Sequence, residues 1–224
     1  MTIRSIFLSS ESDSSIPIAD FCRQHRISFV RKSQISFARV PFQVPGTWDV
    51  AFFASPRAFD FFVPAHFVLN PGQQLACIGA ETKKHIESKG FPVSFSGELA
   101  GKPQEIAREF KAWLGERKAL FPQSVKSNKS IEAALPETQK VPLIVYETIN
   151  SPVAFEEAFS IYIFTSPSNL TSFLSRNSIP ADSQVIAWGD STARTCLNYD
   201  IQADYILQTS TYAELVEILQ KMLV

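Results

Sequence analysis

A dominant charge is missing from this 224-residue chain: Lys and Arg total 21 against 22 Asp and Glu. So even a balance gives no global basic field for nucleic acid and no acidic tail, and any anionic ligand has to be held locally. Long apolar runs are missing too, and no stretch approaches the length of a membrane-spanning helix. The start, MTIRSIFLSSESDSS, puts only three apolar residues in a row before serines and acids intervene, too few for a signal peptide. Cysteine is scarce. Cys22, Cys77 and Cys196 lie far apart among apolar neighbours, so the expectation is buried free thiols in a reducing cytoplasm rather than a disulfide framework. His25, His66 and His85 stand isolated, and there is no phosphate loop, no GxGxxG and no nucleophile elbow. Neither a metal nor a cofactor is expected. What is present is 45% hydrophobic and 12% aromatic content, enough for one large core or two modest ones in a soluble globular protein.

The chain also repeats itself. Ser55-Pro56 in VAFFASPRAFDFF recurs as Ser166-Pro167 in IYIFTSPSNLTSFL, an offset of 111 residues. Gly79 in LACIGAETKKHIES recurs as Gly189 in VIAWGDSTARTCLN, an offset of 110. PQEIAREFKAWL is echoed by TYAELVEILQKML in the same register, and SIFLSSESDSSIPIADF loosely by KALFPQSVKSNKSIEAAL. Two halves built from one plan are the simplest reading of a single register at half the chain length.

Period and punctuation give the elements. Ile6–Ser9, Val50–Ala54, Leu75–Ile78, Lys118–Phe121, Ile161–Thr165, Val185–Trp188 and Tyr205–Leu207 read as buried strands, each followed by a helical pattern. Strand and helix in alternation predict a parallel α/β sheet in each half, flavodoxin-like. ISFVRKSQISFARVPF and VPLIVYETINSP are extended and lack a following helix, so residues 31–47 and 140–152 are expected to pair as a two-stranded β-ladder hinge. The division is then crosswise. One α/β domain is discontinuous, residues 1–34 with 150–224, and the other, residues 40–145, is inserted into it.

A Ser-Pro step after a strand has a physical purpose. Serine caps the helix that follows, and proline occupies the first turn, where its missing N–H costs nothing. In a parallel sheet that turn lies at the ligand crevice, and the helix N-terminus offers free N–H groups to an anion. Gly79-Ala80-Glu81-Thr82 and Gly189-Asp190-Ser191-Thr192 follow the same logic, a glycine and then a helix opening with hydroxyls.

In their order and spacing, FFASPRAFDFF, ACIGAETKKHIESKGF, VYET, IFTSPSNLTSFL and VIAWGDSTARTCLNYD followed by TYAELVEIL resemble uroporphyrinogen-III synthase, over essentially the whole chain. The resemblance implies two α/β domains joined by a β ladder. It also implies a cofactor-independent lyase that closes hydroxymethylbilane, with loss of water and inversion of the last pyrrole ring, to uroporphyrinogen III. Tyr146 in VYET becomes the candidate proton donor to the departing hydroxyl. Binding of the substrate carboxylates is expected at Ser55, Arg57, Gly79, Ala80, Thr82, Ser96, Ser124, Ser166, Ser168, Asn169, Gly189, Ser191 and Thr192, with Lys83 nearby. The expected partners are the linear tetrapyrrole and, transiently, the hydroxymethylbilane synthase that supplies it, with no nucleic acid and no membrane. A monomer is the simpler expectation.

The chain departs from the family pattern in two places. A Thr-Arg-Pro turn is common after the first strand, where this chain has LSSESDSS. A Pro-Arg-Gly turn is common after the strand matching KALFPQS, where Gln123-Ser124 stand instead. Glu11 and Asp13 add negative charge to the first of these loops. Two alternatives follow: a degenerate homologue that binds a tetrapyrrole or another polyanion without catalysis, and a hinged two-domain binding protein for small molecules.

Overall fold

The computed structural model describes residues 3–63, 67–97, 103–127 and 129–223; His66 lies outside them. Along the chain the strands are Ser5–Leu8 (β1), Ser28–Arg31 (β2), Ile35–Arg39 (β3), Val50–Phe53 (β4), Gln74–Cys77 (β5), Phe95–Ser96 (β6), Ala119–Ser124 (β7), Lys140–Asn150 (β8), Ile161–Phe164 (β9), Gln184–Ala187 (β10) and Tyr205–Ile206 (β11). The helices are Ile16–Gln24 (α1), Pro56–Phe62 (α2), Ala80–Ser88 (α3), Pro103–Leu114 (α4), Pro167–Leu174 (α5), Asp190–Leu197 (α6) and Tyr212–Met222 (α7). None of the helices is long and apolar enough to cross a membrane.

Two compact units result, Met1–Ser36 with Ile149–Val224, and Phe37–Thr148. In the first unit five strands run in the order β11-β10-β9-β1-β2, and all their pairings are parallel. A parallel sheet has to be covered on both faces, because each strand buries side chains on both sides. Ile18, Phe21 and Cys22 of α1 with Leu215 and Leu219 of α7 cover one face. Leu170 and Phe173 of α5 with Cys196 of α6 cover the other, around a nest of rings in which Phe7 meets Phe155, Phe159, Tyr162, Phe164 and Phe173. Each fully buried Phe adds about 1.5–3 kcal/mol, so strands of only four residues suffice.

The second unit has six strands, β3-β8-β7-β4-β5-β6. Ala58, Phe59, Phe62 and Ile86, from α2 and α3, pack on one face. Ile106, Ala107, Phe110 and Leu114 of α4, with Ile131 and Leu135, pack on the other. In this sheet the chain steps from β4 outward through β5 to β6, then returns to β7 on the opposite side of β4. The first unit reverses in the same way between β1 and β9. Such reversal points open a crevice beyond the carboxyl ends of the strands, so β4/β7 and β1/β9 are the candidate ligand positions.

Two segments differ from the sequence reading. The helix expected after Lys118–Phe121 does not form: β7 runs on to Ser124, and only two single 3-10 turns follow, Glu132–Ala134 and Glu137–Gln139. Lys129 is left-handed (φ 52°) and Pro136 cannot sit inside a helix, so the apolar residues between them have no room for one. The extended stretch from Ile27 also breaks in two, with β2 joining the first sheet beside β1 and β3 the second beside β8. Ser151 N–H donates to Gln34 O and Val40 N–H to Val145 O, so the two connecting segments run antiparallel. Their ladder is continuous with the six-stranded sheet, because β8 also pairs in parallel with β7.

Candidate active site

The repeated Ser-Pro turns have one geometry. Ser55 (φ −166°, ψ 157°) and Ser166 (φ −163°, ψ 157°) are both extended. Ser55 Oγ accepts from Ala58 N–H at 3.2 Å and Ser166 Oγ from Asn169 N–H at 3.3 Å. In each case β4 or β9 ends, serine caps, and proline opens the helix. Arg57 stands in the first turn of α2 with its guanidinium 3.5 Å from the Phe37 ring centroid, a cation–π seat that fixes an exposed charge. Ser168 is half-buried with a hydroxyl bonded to no described residue. Asn169 is different, for its amide is already used: Oδ1 accepts from Gln34 N–H at 2.8 Å and Nδ2 donates to Ser166 Oγ at 3.1 Å.

The glycine turns match as well. Gly79 (φ 177°, ψ −179°) and Gly189 (φ 170°, ψ 179°) are extended, a conformation open to any residue. A Cβ on Gly79 would stand 3.7 Å from Gly97 O and one on Gly189 3.3 Å from Ser210 Oγ. A Cβ on Gly189 would press on Ser210 Oγ, which donates to Trp188 O, whereas around Gly79 the described residues leave room for a side chain, so there a ligand approaching the backbone would be the reason for glycine. Thr82 and Thr192 are buried, 4% and 2% exposed, and neither hydroxyl bonds to a described residue. No enclosed side-chain oxygen or nitrogen lacks a partner among the described residues, so both hydroxyls keep an open face. Ala80 and Ser191 are exposed at the first turns of their helices. Lys83 is 3.9 Å from Glu87 on α3. Ser96 ends β6, its hydroxyl accepting from Cys77 Sγ at 3.6 Å, and Ser124 ends β7.

At the β1/β9 reversal the missing arginine leaves a hydroxyl knot. Thr165 N–H donates to Ser9 Oγ at 2.8 Å, and Thr165 Oγ1 donates to Ser9 O at 3.0 Å. Cations reach this loop from the end of the neighbouring strand β2. Arg31 Nη1 donates to Ser15 Oγ (2.8 Å) and Ser12 O (3.2 Å), and Lys32 pairs with Glu11 at 2.9 Å. The acid that crowds the loop in the sequence is thus offset by a lysine.

Tyr146 stands on β8 beside a bulge. Gln123 pairs with Ile144 and Ser124 with Tyr146, so Val145 is skipped. The extra residue turns Tyr146 to the same side as Val145, into the core that contains α2. Its ring stacks on Phe61 (centroids 5.1 Å, 19°) and meets Phe37 edge-on at 6.0 Å. Arg57 lies on that same Phe37, which links the two candidates through one ring. No described residue hydrogen-bonds the Tyr146 hydroxyl, and it is not enclosed.

The three thiols are structural. All three cysteines are free and buried; burial pushes the Cys22 thiol up to about 11 and raises Cys77 and Cys196 as well. No group of His, Cys, Asp and Glu among the described residues is placed to hold a metal. His85, isolated in sequence, meets Asp60 at 2.7 Å. The sequence reading missed the buried Gln123–Glu132 pair at the β4/β7 reversal, 2.8 Å from Nε2 to Oε2. A Glu in an apolar helix-like pattern carries no signal that it will be buried.

Residues 26–217 match the family described as Uroporphyrinogen-III synthase HemD. No curated protein sequence matches the chain. Among solved structures, the uroporphyrinogen-III synthetase of Helicobacter pylori superposes with a TM-score of 0.72 at 17% identity, over 99% of this chain and 100% of that one. A mutant uroporphyrinogen III synthase of Thermus thermophilus superposes with a TM-score of 0.61 at 14% identity, over 99% of both chains. At such identities the likeness is one of fold.

Proposed function

This chain belongs to the uroporphyrinogen-III synthase family, and from that premise we propose that it closes hydroxymethylbilane, with loss of water and inversion of the last pyrrole ring, to uroporphyrinogen III. The reaction is a lyase reaction in which the substrate supplies most of the drive. An electron-rich pyrrole expels the hydroxyl once that oxygen is protonated or hydrogen-bonded, and the protein has to favour the spiro route over direct closure by holding the chain in one shape. The observation that carries the reading is the duplicated pair of turns. Each unit presents a Ser-Pro turn and a glycine turn at the carboxyl ends of adjacent strands, β4 and β5 in one, β9 and β10 in the other. Backbone N–H groups at such helix starts, with the open hydroxyls of Thr82 and Thr192, suit a substrate with carboxylates on every ring. Arg57, Ser55, Ser166 and Ser168 extend the same surfaces. Tyr146 is the proton donor or water-orienting group: an unpartnered hydroxyl on a ring held from two sides is preorganised for that role.

On this reading the reaction runs in the cytoplasm, and hydroxymethylbilane synthase delivers the bilane in a transient contact. Fresh bilane from that enzyme, mixed with this protein, oxidised and separated into type I and type III isomers, tests the activity. Excess type III over the spontaneous type I background is the expected result. Type I alone, from protein shown to be folded, would favour the non-catalytic homologue that binds tetrapyrroles. A type III yield unchanged when the two enzymes are separated by a membrane permeable to the bilane would argue against direct delivery.

A further inference from the structure

The β4/β7 reversal of the second unit contains a cavity of about 230 Å³ whose lining is not explained by the paired turns. Phe52 and Phe121, with ring centroids 5.8 Å apart, and Ile78 and Ile131 form its apolar wall. Into that wall the chain sets a carboxylate. Glu132 is 7% exposed and its Oε2 accepts from Gln123 Nε2 at 2.8 Å. Oε1 accepts from no described residue, yet no enclosed oxygen lacks a partner, so Oε1 is open, and the space that Glu132 lines is this cavity. A buried carboxylate with one neutral donor is costly, and the cost falls when a ligand brings a second donor. Lys129 is at the cavity too, exposed and left-handed, its N–H donating to Ser127 Oγ at 3.3 Å. No described carboxylate lies within ion-pair distance of its ammonium.

An apolar wall that includes two phenylalanines in contact with each other, one acceptor inside and one cation beside it define the chemistry of a guest. It is flat and aromatic, carries one N–H in its ring plane, and bears a carboxylate at its edge. A simple polyanion fails the description, because Glu132 would repel it. We propose that this cavity is a pyrrole subsite: one pyrrole ring packs against Phe52 and Phe121, donates its N–H to Glu132 Oε1, and sets a side-chain carboxylate on Lys129. The space suits one substituted ring and not four. The proposal rests on the synthase reading for the identity of the polypyrrole, though not for the chemistry of the slot. Lys129 stands five to six residues beyond the Gln123–Ser124 step at the end of β7, where the family pattern carries an arginine.

Ile78 and Ile131 allow a test without turnover. With isoleucine methyls labelled, the full chain is titrated with porphobilinogen, a single pyrrole bearing an acetate and a propionate, and with its N-methyl derivative, which has no N–H. The expected result is a shift of both methyls by porphobilinogen, with binding weakened about tenfold by N-methylation, the effect of one hydrogen bond to a charged group. Lys129→Met should weaken porphobilinogen by a similar factor, and Glu132→Gln should erase the discrimination between the two probes, since its open amide would present donors. Methyls that stay still at millimolar porphobilinogen, or equal affinity for both probes, would overturn the subsite. A protein that gives no type III isomer but passes this titration fails as a synthase and keeps the subsite. One that makes type III isomer with an unchanged KM in Glu132→Gln keeps the activity and loses the subsite.

Discussion

The ring of Tyr146 is held between Phe37 and Phe61 while its hydroxyl touches no described residue, so removing the oxygen alone should leave the core intact. Tyr146→Phe is expected to change stability by no more than about 0.5 kcal/mol and to lower turnover by about a hundredfold or more, the usual worth of a positioned proton donor. Thermal melts and the isomer assay on one preparation separate the two effects. Unchanged turnover would remove Tyr146 from the chemistry. Gly97 makes the opposite case, a residue important for packing. A Cβ there would stand 2.6 Å from Ile78 O and 2.8 Å from Ile106 Cγ2, and the carbonyl belongs to the strand end beside it. Gly97→Ala should cost about 1–3 kcal/mol, the range for overpacking, read as a lower urea midpoint. Neither role is legible in the sequence. Tyr146 was singled out by resemblance, and its orientation depends on a bulge at Val145 that no periodicity announces, while the closeness of Ile78 and Ile106 to Gly97 arises only when the sheet and α4 come together.

Among the elements, the turns were the easiest to read because their information is local. Serine before proline after a buried strand has one low-energy use, and the two copies fold within a few degrees of each other. The break between β2 and β3 was hidden, since Lys32, Ser33 and Gln34 look like any polar residues in an alternating run. The structure shows what they do. Gln34 is fully buried; its N–H donates to Asn169 Oδ1, its carbonyl accepts from Ser151 N–H and Ser172 Oγ, its side-chain carbonyl accepts from Val153 N–H at 2.9 Å, and its Nε2 donates to Lys32 O at 3.1 Å. One glutamine thus fastens the end of β2 and the segment after β8 to α5, the helix opened by Ser166-Pro167. Gln34→Leu keeps the backbone bonds but removes the partners of Val153 N–H and Lys32 O, both part-buried, an expected loss of about 1–2 kcal/mol. Hydrogen exchange should then quicken at Val153 and in the first turn of α5. Exchange unaltered in that turn would mean that the fastening does not reach the Ser166-Pro167 cap.

At the scale of the whole molecule the repeat predicts two like halves, but the chain divides crosswise, and the sheet orders explain the difference in independence between the units. In Phe37–Thr148 all of β4 to β7, all but the outer ends of β3 and β8, both covering layers and the β4/β7 reversal come from one continuous segment. The other unit draws β1 and β2 from one end of the chain and β9, β10 and β11 from the other. Its β1 is internal, paired in parallel with both β2 and β9, and Phe7 on β1 touches five rings of the C-terminal segment. Without β1 the C-terminal segment would expose that nest and a row of unpaired strand groups on β9. The fragment 37–148 is therefore expected to fold alone, with a single cooperative urea transition and dispersed amide resonances, and the fragment 149–224 to stay unfolded until the peptide 1–36 is added. Complementation by that peptide is the sharper measurement, since it restores the central strand and no other. A 37–148 fragment without a cooperative transition would mean that its sheet needs the flanking chain. A folded 149–224 fragment would mean that β9 and β10 tolerate an open edge, and the assignment of β1 as the keystone of that unit would fall.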